Sequence, residues 1–195
     1  MLKYRAMQSA VPVGQGAMAA LLGLSFEQAE AVAAEAAQGE VCQVANQNDP
    51  AQNVVSGSKA AVERAIDLAK AAGAKRALLL PVSAPFHCAL MAPAAEEMAG
   101  ALADVTMNAP AVPVVANVVA EAVTDPEQIR KLLIEQVTGQ VRWMSSVEWM
   151  GAQGVTEVWE IGAGKALSGM IRRINKEITC VNIGTAADAA AVKTA

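Results

Sequence analysis

Apolar and polar positions along the first half of the chain alternate between a strand period and a helix period. Ala17 to Leu22 is an unbroken apolar run and reads as a strand. Ser25-x-x-Gln28 follows, a capping box that opens a helix through Gln38, with Gly39 as its stop. Val41 to Ala45 and Asn53 to Val55 read as short strands flanking a polar turn. Ser58 caps a second helix, in which Val62, Ala65, Ile66 and Ala69 form the buried stripe and Gly73 closes it. Ala77 to Leu80 reads as a buried strand that ends at Pro81. The order β-α-β-β-α-β is that of the split, ferredoxin-like unit.

The flanks carry weaker patterns. No N-cap precedes Leu2 and Pro12 marks a stop, so the first dozen residues read as the end of a helix. Val13-Gly14-Gln15-Gly16 reads as a turn. A helix opens near Pro93 and runs to about Ala103, and Val112 to Val118 is a short apolar strand. Asp125-Pro126-x-Gln128 supplies an N-cap, a first-turn proline and a box partner for a helix to Val137. Val155 to Lys165 is strand, glycine turn and helix start, and Leu167, Met170, Ile171 and Ile174 form an apolar helical stripe. That turn invites a nucleotide reading, which fails twice. The third glycine of Gly-x-Gly-x-x-Gly falls at Leu167, and Gly164-Lys165 is followed by alanine. The fold class is α/β.

Composition narrows the function classes. A hydrophobic fraction of 54% with 3% aromatics fits an interior rich in alanine and valine, and 195 residues suffice for a sizeable core. A formal net charge of −4 argues against nucleic acid, and the ferredoxin-like unit lacks the aromatics RNA would stack on. No apolar run approaches a membrane span, and Met1 to Met7 lacks the core of a signal peptide, so a cytoplasmic protein is expected. Cys42, Cys88 and Cys180 are odd in number with no Cys-x-x-Cys spacing, which argues against a disulfide framework or a metal site.

The candidate chemistry sits at the one histidine, His87, in the loop between the Ala77–Leu80 strand and the Pro93 helix. Imidazole suits general-base work near neutral pH, and α/β folds place their chemistry on such loops. A histidine that merely caps or packs is the equal alternative from position alone.

Ala84-Pro85-Phe86-His87-Cys88-Ala89-Leu90-Met91 resembles the histidine motif of malonyl-CoA:acyl-carrier-protein transacylases and the acyltransferase domains of fatty-acid and polyketide synthases. The resemblance extends along essentially the whole chain. It implies a ferredoxin-like small subdomain over 14–82, between the end of a large-subdomain helix (1–13) and the C-terminal part of an α/β-hydrolase-like acyltransferase subdomain (83–195). It also implies transfer of a malonyl group from coenzyme A to the thiol of acyl carrier protein, with malonyl-CoA as substrate and no cofactor. In the family a histidine activates a serine, which places His87 as the base. Gln136 falls where a backbone carbonyl holds that histidine ring. The family's Arg-Gly-x-x-Met-Gln, counted back from Met7-Gln8, puts the malonate clamp at Lys3 and the glycine at Tyr4, with Arg5 two residues off. Asn46 and Asn48, in the Asn-rich turn, are implied to face the acyl-thioester cleft. Phe86 stands where phenylalanine goes with malonyl in related synthase domains, although core packing explains a phenylalanine there equally well. Lys165, Arg172, Arg173 and Lys176 offer cations to an acidic carrier protein, or form an ordinary solvated face.

The family's serine sits in a Gly-His-Ser-x-Gly elbow, and no Gly-x-Ser-x-Gly occurs in these 195 residues. Ser83 and Cys88 lie near His87 in sequence but on no elbow. The expectation is the C-terminal portion of a transacylase, lacking the N-terminal nucleophile segment and inactive alone, with that segment lost or separately encoded. The competing expectation is a non-catalytic binding module, a ferredoxin-like domain joined to an α/β tail, or a degenerate relative of the family.

Overall fold

Gly16–Leu22 forms β1, with Met18 to Leu21 buried, because a strand lies on each side of it and each face is covered. Successive side chains of a strand point to opposite faces. Ala19 and Leu21 thus meet the helices α2 (Phe26–Ala37) and α3 (Lys59–Ala71), while Met18 joins Ala45, Val54, Leu80 and Phe86 behind the sheet. This structure, a computed structural model, describes residues 2–192, with side chains from Ala6 onward.

Strands β2 (Cys42–Asp49), β3 (Gln52–Ser58) and β4 (Arg76–Leu79) complete an antiparallel sheet in the order β2-β3-β1-β4. The Ser25–Gln28 capping box forms in full, and Gln38 ends α2 in a left-handed conformation before Gly39. Ser58 stands at the N-cap of α3 but makes no side-chain cap bond; its N–H donates to the Val41 carbonyl instead, at 2.8 Å.

Two expectations change. Asn46 to Asp49 are strand, not turn, so the hairpin is only Pro50-Ala51 wide. Two register shifts against β3 carry β2 past its apolar residues, and on its far side Asn46 pairs in parallel with Val141. Local composition signals a turn there, and ladder bonds on both sides overrule it. The Ala77–Leu80 run is not buried: among the described residues β4 pairs only with β1, and Leu78 and Leu79 are exposed.

Gly57 is fixed by close approach. A Cβ there would lie 1.9 Å from the Val41 carbonyl oxygen and 2.9 Å from Cys42 Cα, so backbone would have to give way. Gly57→Ala is expected to cost about 2–3 kcal/mol, as forced overpacking does. A urea midpoint unchanged from the parent would show that the β2–β3 hairpin absorbs a methyl group.

The rest of the chain packs around two further cores. Helix α1 (Leu2–Ala10) lays Ala6 and Met7 against Met91 and Ala94, the latter on α4 (Ala92–Ala103). Beyond it come the hairpin β5 (Val114–Ala116) and β6 (Glu121–Val123), then α5 (Pro126–Glu135) and α6 (Trp143–Ala152). β7 (Glu157–Ile161) and β8 (Thr179–Ile183) form a parallel pair around α7 (Ala166–Ile174), and α8 (Ala186–Ala191) follows. The strand expected over Val112–Val118 shrinks to β5, and β6, β8 and α8 were not anticipated. Val147, Ile171 and Ile178 form the core here, but Leu167 of the expected stripe stays 40% exposed. No helix of the described residues is long and apolar enough to cross a membrane.

Candidate active site

His87 follows β4 on a loop folded back over the sheet. The Phe86 N–H donates to the Ala84 carbonyl (3.1 Å), Cys88 Sγ donates to the Pro85 carbonyl (3.1 Å), and a 3-10 turn, Ala89–Met91, leads into α4. The His87 backbone is left-handed, φ +58°. That conformation costs a non-glycine residue about 1–2 kcal/mol and persists only where its surroundings enforce it.

The half-buried ring meets the end of α5. Nδ1 lies 3.0 Å from the carbonyl oxygen of Gln136 and 3.1 Å from that of Gly139. The last carbonyls of a helix lack intrahelical donors, and Gln136 is the C-cap of α5, so its oxygen is available to an outside N–H. Two carbonyls can only accept. They therefore hold the proton on Nδ1 and leave the lone pair on Nε2. The Gln136 amide sits 3.4 Å from Nδ1 but donates to Gly139 O at 3.1 Å, which keeps that carbonyl in place. Nε2 is thereby the acceptor atom of the ring.

The structure thus brings His87 and Gln136 together and adds Gly139, which sequence reasoning missed. A backbone acceptor leaves no side-chain signature; the only hint was a glycine just past a helix end. Phe86 is half-buried and packs against both the α1–α4 core and the cluster behind the sheet. Asn46 and Asn48 are half-buried on β2, whose edge holds the 139–141 loop: Val141 N donates to Ala45 O (2.8 Å), and Gln47 N to Val141 O (2.9 Å). The side chains of Lys3, Tyr4 and Arg5 lie outside the described residues. Ser83 is exposed and accepts from Gln8 Nε2 at 2.5 Å. Cys88 is fully buried, and burial pushes its thiol up, away from the reactive thiolate.

No family model matches the chain. Over 178 residues, 91% of this chain, it is 50% identical to the malonyl CoA-acyl carrier protein transacylase of Escherichia coli strain K12, of which it covers 58%. The crystal structure of an acyl carrier protein S-malonyltransferase from Vibrio cholerae superposes with a TM-score of 0.95 at 51% identity, over 98% of this chain and 63% of that one. The chain is homologous to proteins named malonyl CoA-acyl carrier protein transacylase. It spans about three fifths of the length of these relatives. A third relative, with a TM-score of 0.93 at 43% identity over 96% of this chain and 60% of its own, is a malonyl-transacylase in complex with a type II PKS acyl-carrier protein.

Against that family background the glycine turn after β7 has a plain structural job. The N-terminus of α7 is filled by the chain's own anion. Glu160 accepts from Leu167 N (3.1 Å), Ser168 N (2.8 Å), Ser168 Oγ (2.5 Å) and Asn182 Nδ2 (3.1 Å), so the donors that an N-terminal phosphate would use are already taken by a carboxylate. The hydrogen bonds from the Ser168 side chain and backbone hold the Glu160 carboxyl below its ordinary value, outweighing burial. A depressed carboxylate stabilises the fold above its unfolded pKa, and that contribution disappears as pH falls through the folded value. Acidification from about pH 5 to pH 3 should therefore loosen the α7–β8 contact, with hydrogen exchange at Leu167 and Ser168 accelerating. Glu160→Gln should flatten that acid step, and an unchanged acid profile in the variant would refute the assignment.

An apolar hollow of about 330 Å3 opens between Val115, Trp143, Met150, Trp159 and Leu167. None of its lining belongs to the His87 loop. Among the described residues no His/Cys/Asp/Glu cluster is placed to hold a metal.

Proposed function

We propose that this chain supplies the base for malonyl transfer from coenzyme A to the thiol of acyl carrier protein, through an acyl-serine intermediate. The observation that carries the reading is the His87 ring, oriented by the Gln136 and Gly139 carbonyls so that Nε2 bears the lone pair. In the first half-reaction Nε2 takes the serine proton as the oxygen attacks the thioester carbonyl; the C–S bond breaks and the coenzyme A sulfur leaves with that proton. In the second, the carrier thiol gives its proton to Nε2, attacks the acyl-serine and returns the serine hydroxyl. The relative held in complex with an acyl-carrier protein supports the acceptor.

The serine belongs to a segment outside these 195 residues, since no Gly-x-Ser-x-Gly occurs within them. In this reading 14–82 is the small subdomain, and 1–13 with 83–195 belong to the large one. Lys3 is the malonate clamp position, a point charge in place of a guanidinium fork, and Asn46 and Asn48 face the thioester cleft. Phe86 is the wall against branched acyl groups.

The experiment is a chimaera. The 195-residue chain alone should transfer no malonyl group from malonyl-CoA to acyl carrier protein. Fused to the portion of the Escherichia coli relative that it does not span, it should do so, and Lys3→Arg with Tyr4→Gly should raise malonyl over acetyl transfer. Turnover by the chain alone would refute the placement of the nucleophile. A folded but inert chimaera would favour a binding module.

A further inference from the structure

The 3-10 turn that begins two residues after His87 has no cap of its own. Cys88 stands at its N-cap position and makes no side-chain cap bond, because its Sγ is turned onto the Pro85 carbonyl. The exposed N–H of Ala89 is capped instead from another element: Gln43 Oε1, on β2, accepts it at 2.7 Å. On the other side of His87, Pro85 lies over the first residue of β1. A Cβ on Gly16 would come 2.3 Å from Pro85 Cγ and 2.5 Å from Cδ, so the proline ring occupies the space that a side chain would need. The left-handed His87 backbone is therefore gripped two residues before and two residues after, both times by the four-stranded sheet, while its ring is held by the carbonyls beyond α5. Gln140 Nε2, bonded to Val44 O at 3.2 Å, ties that carbonyl loop to the same strand that carries Gln43.

We propose that Gln43 and Gly16 are positioning residues for His87: the small sheet serves as the jig that fixes the base, with Gln43 capping Ala89 and Gly16 seating Pro85. This rests on the reading of His87 as the base. Loss of the Gln43 acceptor frees the Ala89 N–H and lets the residue after His87 rotate, which loosens the ring from its two carbonyls.

The chain has one histidine, so selective 15N-histidine labelling of the 195-residue protein gives one pair of ring-nitrogen signals without mutagenesis. Wild type should show the Nδ1–H form. In Gln43→Met, ring N–H exchange should accelerate about fivefold, as expected when a helix cap is lost, with β1 and β3 amides unmoved. Gln43→Glu, which keeps an acceptor oxygen, should restore wild-type exchange, and Gly16→Ala should shift both ring signals. Wild-type exchange in Gln43→Met, or a Gln43→Glu protein no better than Gln43→Met, overturns the proposal. A wild-type ring protonated on Nε2 would defeat the base assignment instead. The jig is still read in that case, from the difference between variant and wild type.

Discussion

In the chimaera that carries a serine elbow, His87→Ala should slow serine acylation by malonyl-CoA about 10²–10⁴-fold, the usual contribution of a general base. Rapid-quench measurement of the acyl-enzyme burst reads this step apart from carrier-protein transfer. The loss should fall on the acylation rate and spare the fold, because the ring is only half-buried and its removal takes one hydrogen-bond donor from two carbonyls at a helix end. The C-cap carbonyls are reachable by water once the ring is gone. A near-normal burst in His87→Ala would end the general-base assignment, whatever the tautomer observed in the isolated chain.

The second large effect concerns stability within the chain as it stands. Hydrogen exchange should divide it in two. Ala19 and Leu21 of β1, Val55 of β3 and the Val62–Ala69 stretch of α3 lie in a core closed by two helices over four strands, and their amides should exchange slowest. Among the described residues β7 and β8 are a parallel pair with no further strand beside either, and parallel strands are normally paired and covered on both faces. Trp159 is 50% exposed and Ile161 75% on β7. Amides of Glu157–Ile161 and Thr179–Ile183 should therefore exchange orders of magnitude faster than those of β1. Supplying the serine-bearing segment of a relative should slow them. Equal, high protection across both sheets would mean that β7 and β8 need no further neighbour, and the proposed division into subdomains would fall with it.

Sequence determined the elements whose signals are local. The Ser25–Gln28 box and the Asp125 cap are read within four residues, because each side chain bonds a backbone N–H of its own first turn. The apolar stripe of α3 and the β-α-β-β-α-β order follow from periodicity, since a face that must be buried repeats at the helix or strand spacing. The single histidine in its motif points to the proposed site by resemblance. Tertiary structure alone decided what depends on partners far along the chain. Asn46 to Asp49 became strand because β3 and Val141 satisfy their backbone, against turn-forming composition. Leu78 and Leu79 are exposed because β4 lies at an edge, which no stretch of four residues can reveal. The hold on His87 comes from carbonyls 49 and 52 residues away, and its seat from Gly16 and Gln43 on two strands. Backbone oxygens and absent side chains write nothing into a sequence; they act only once the chain has brought them within bonding distance.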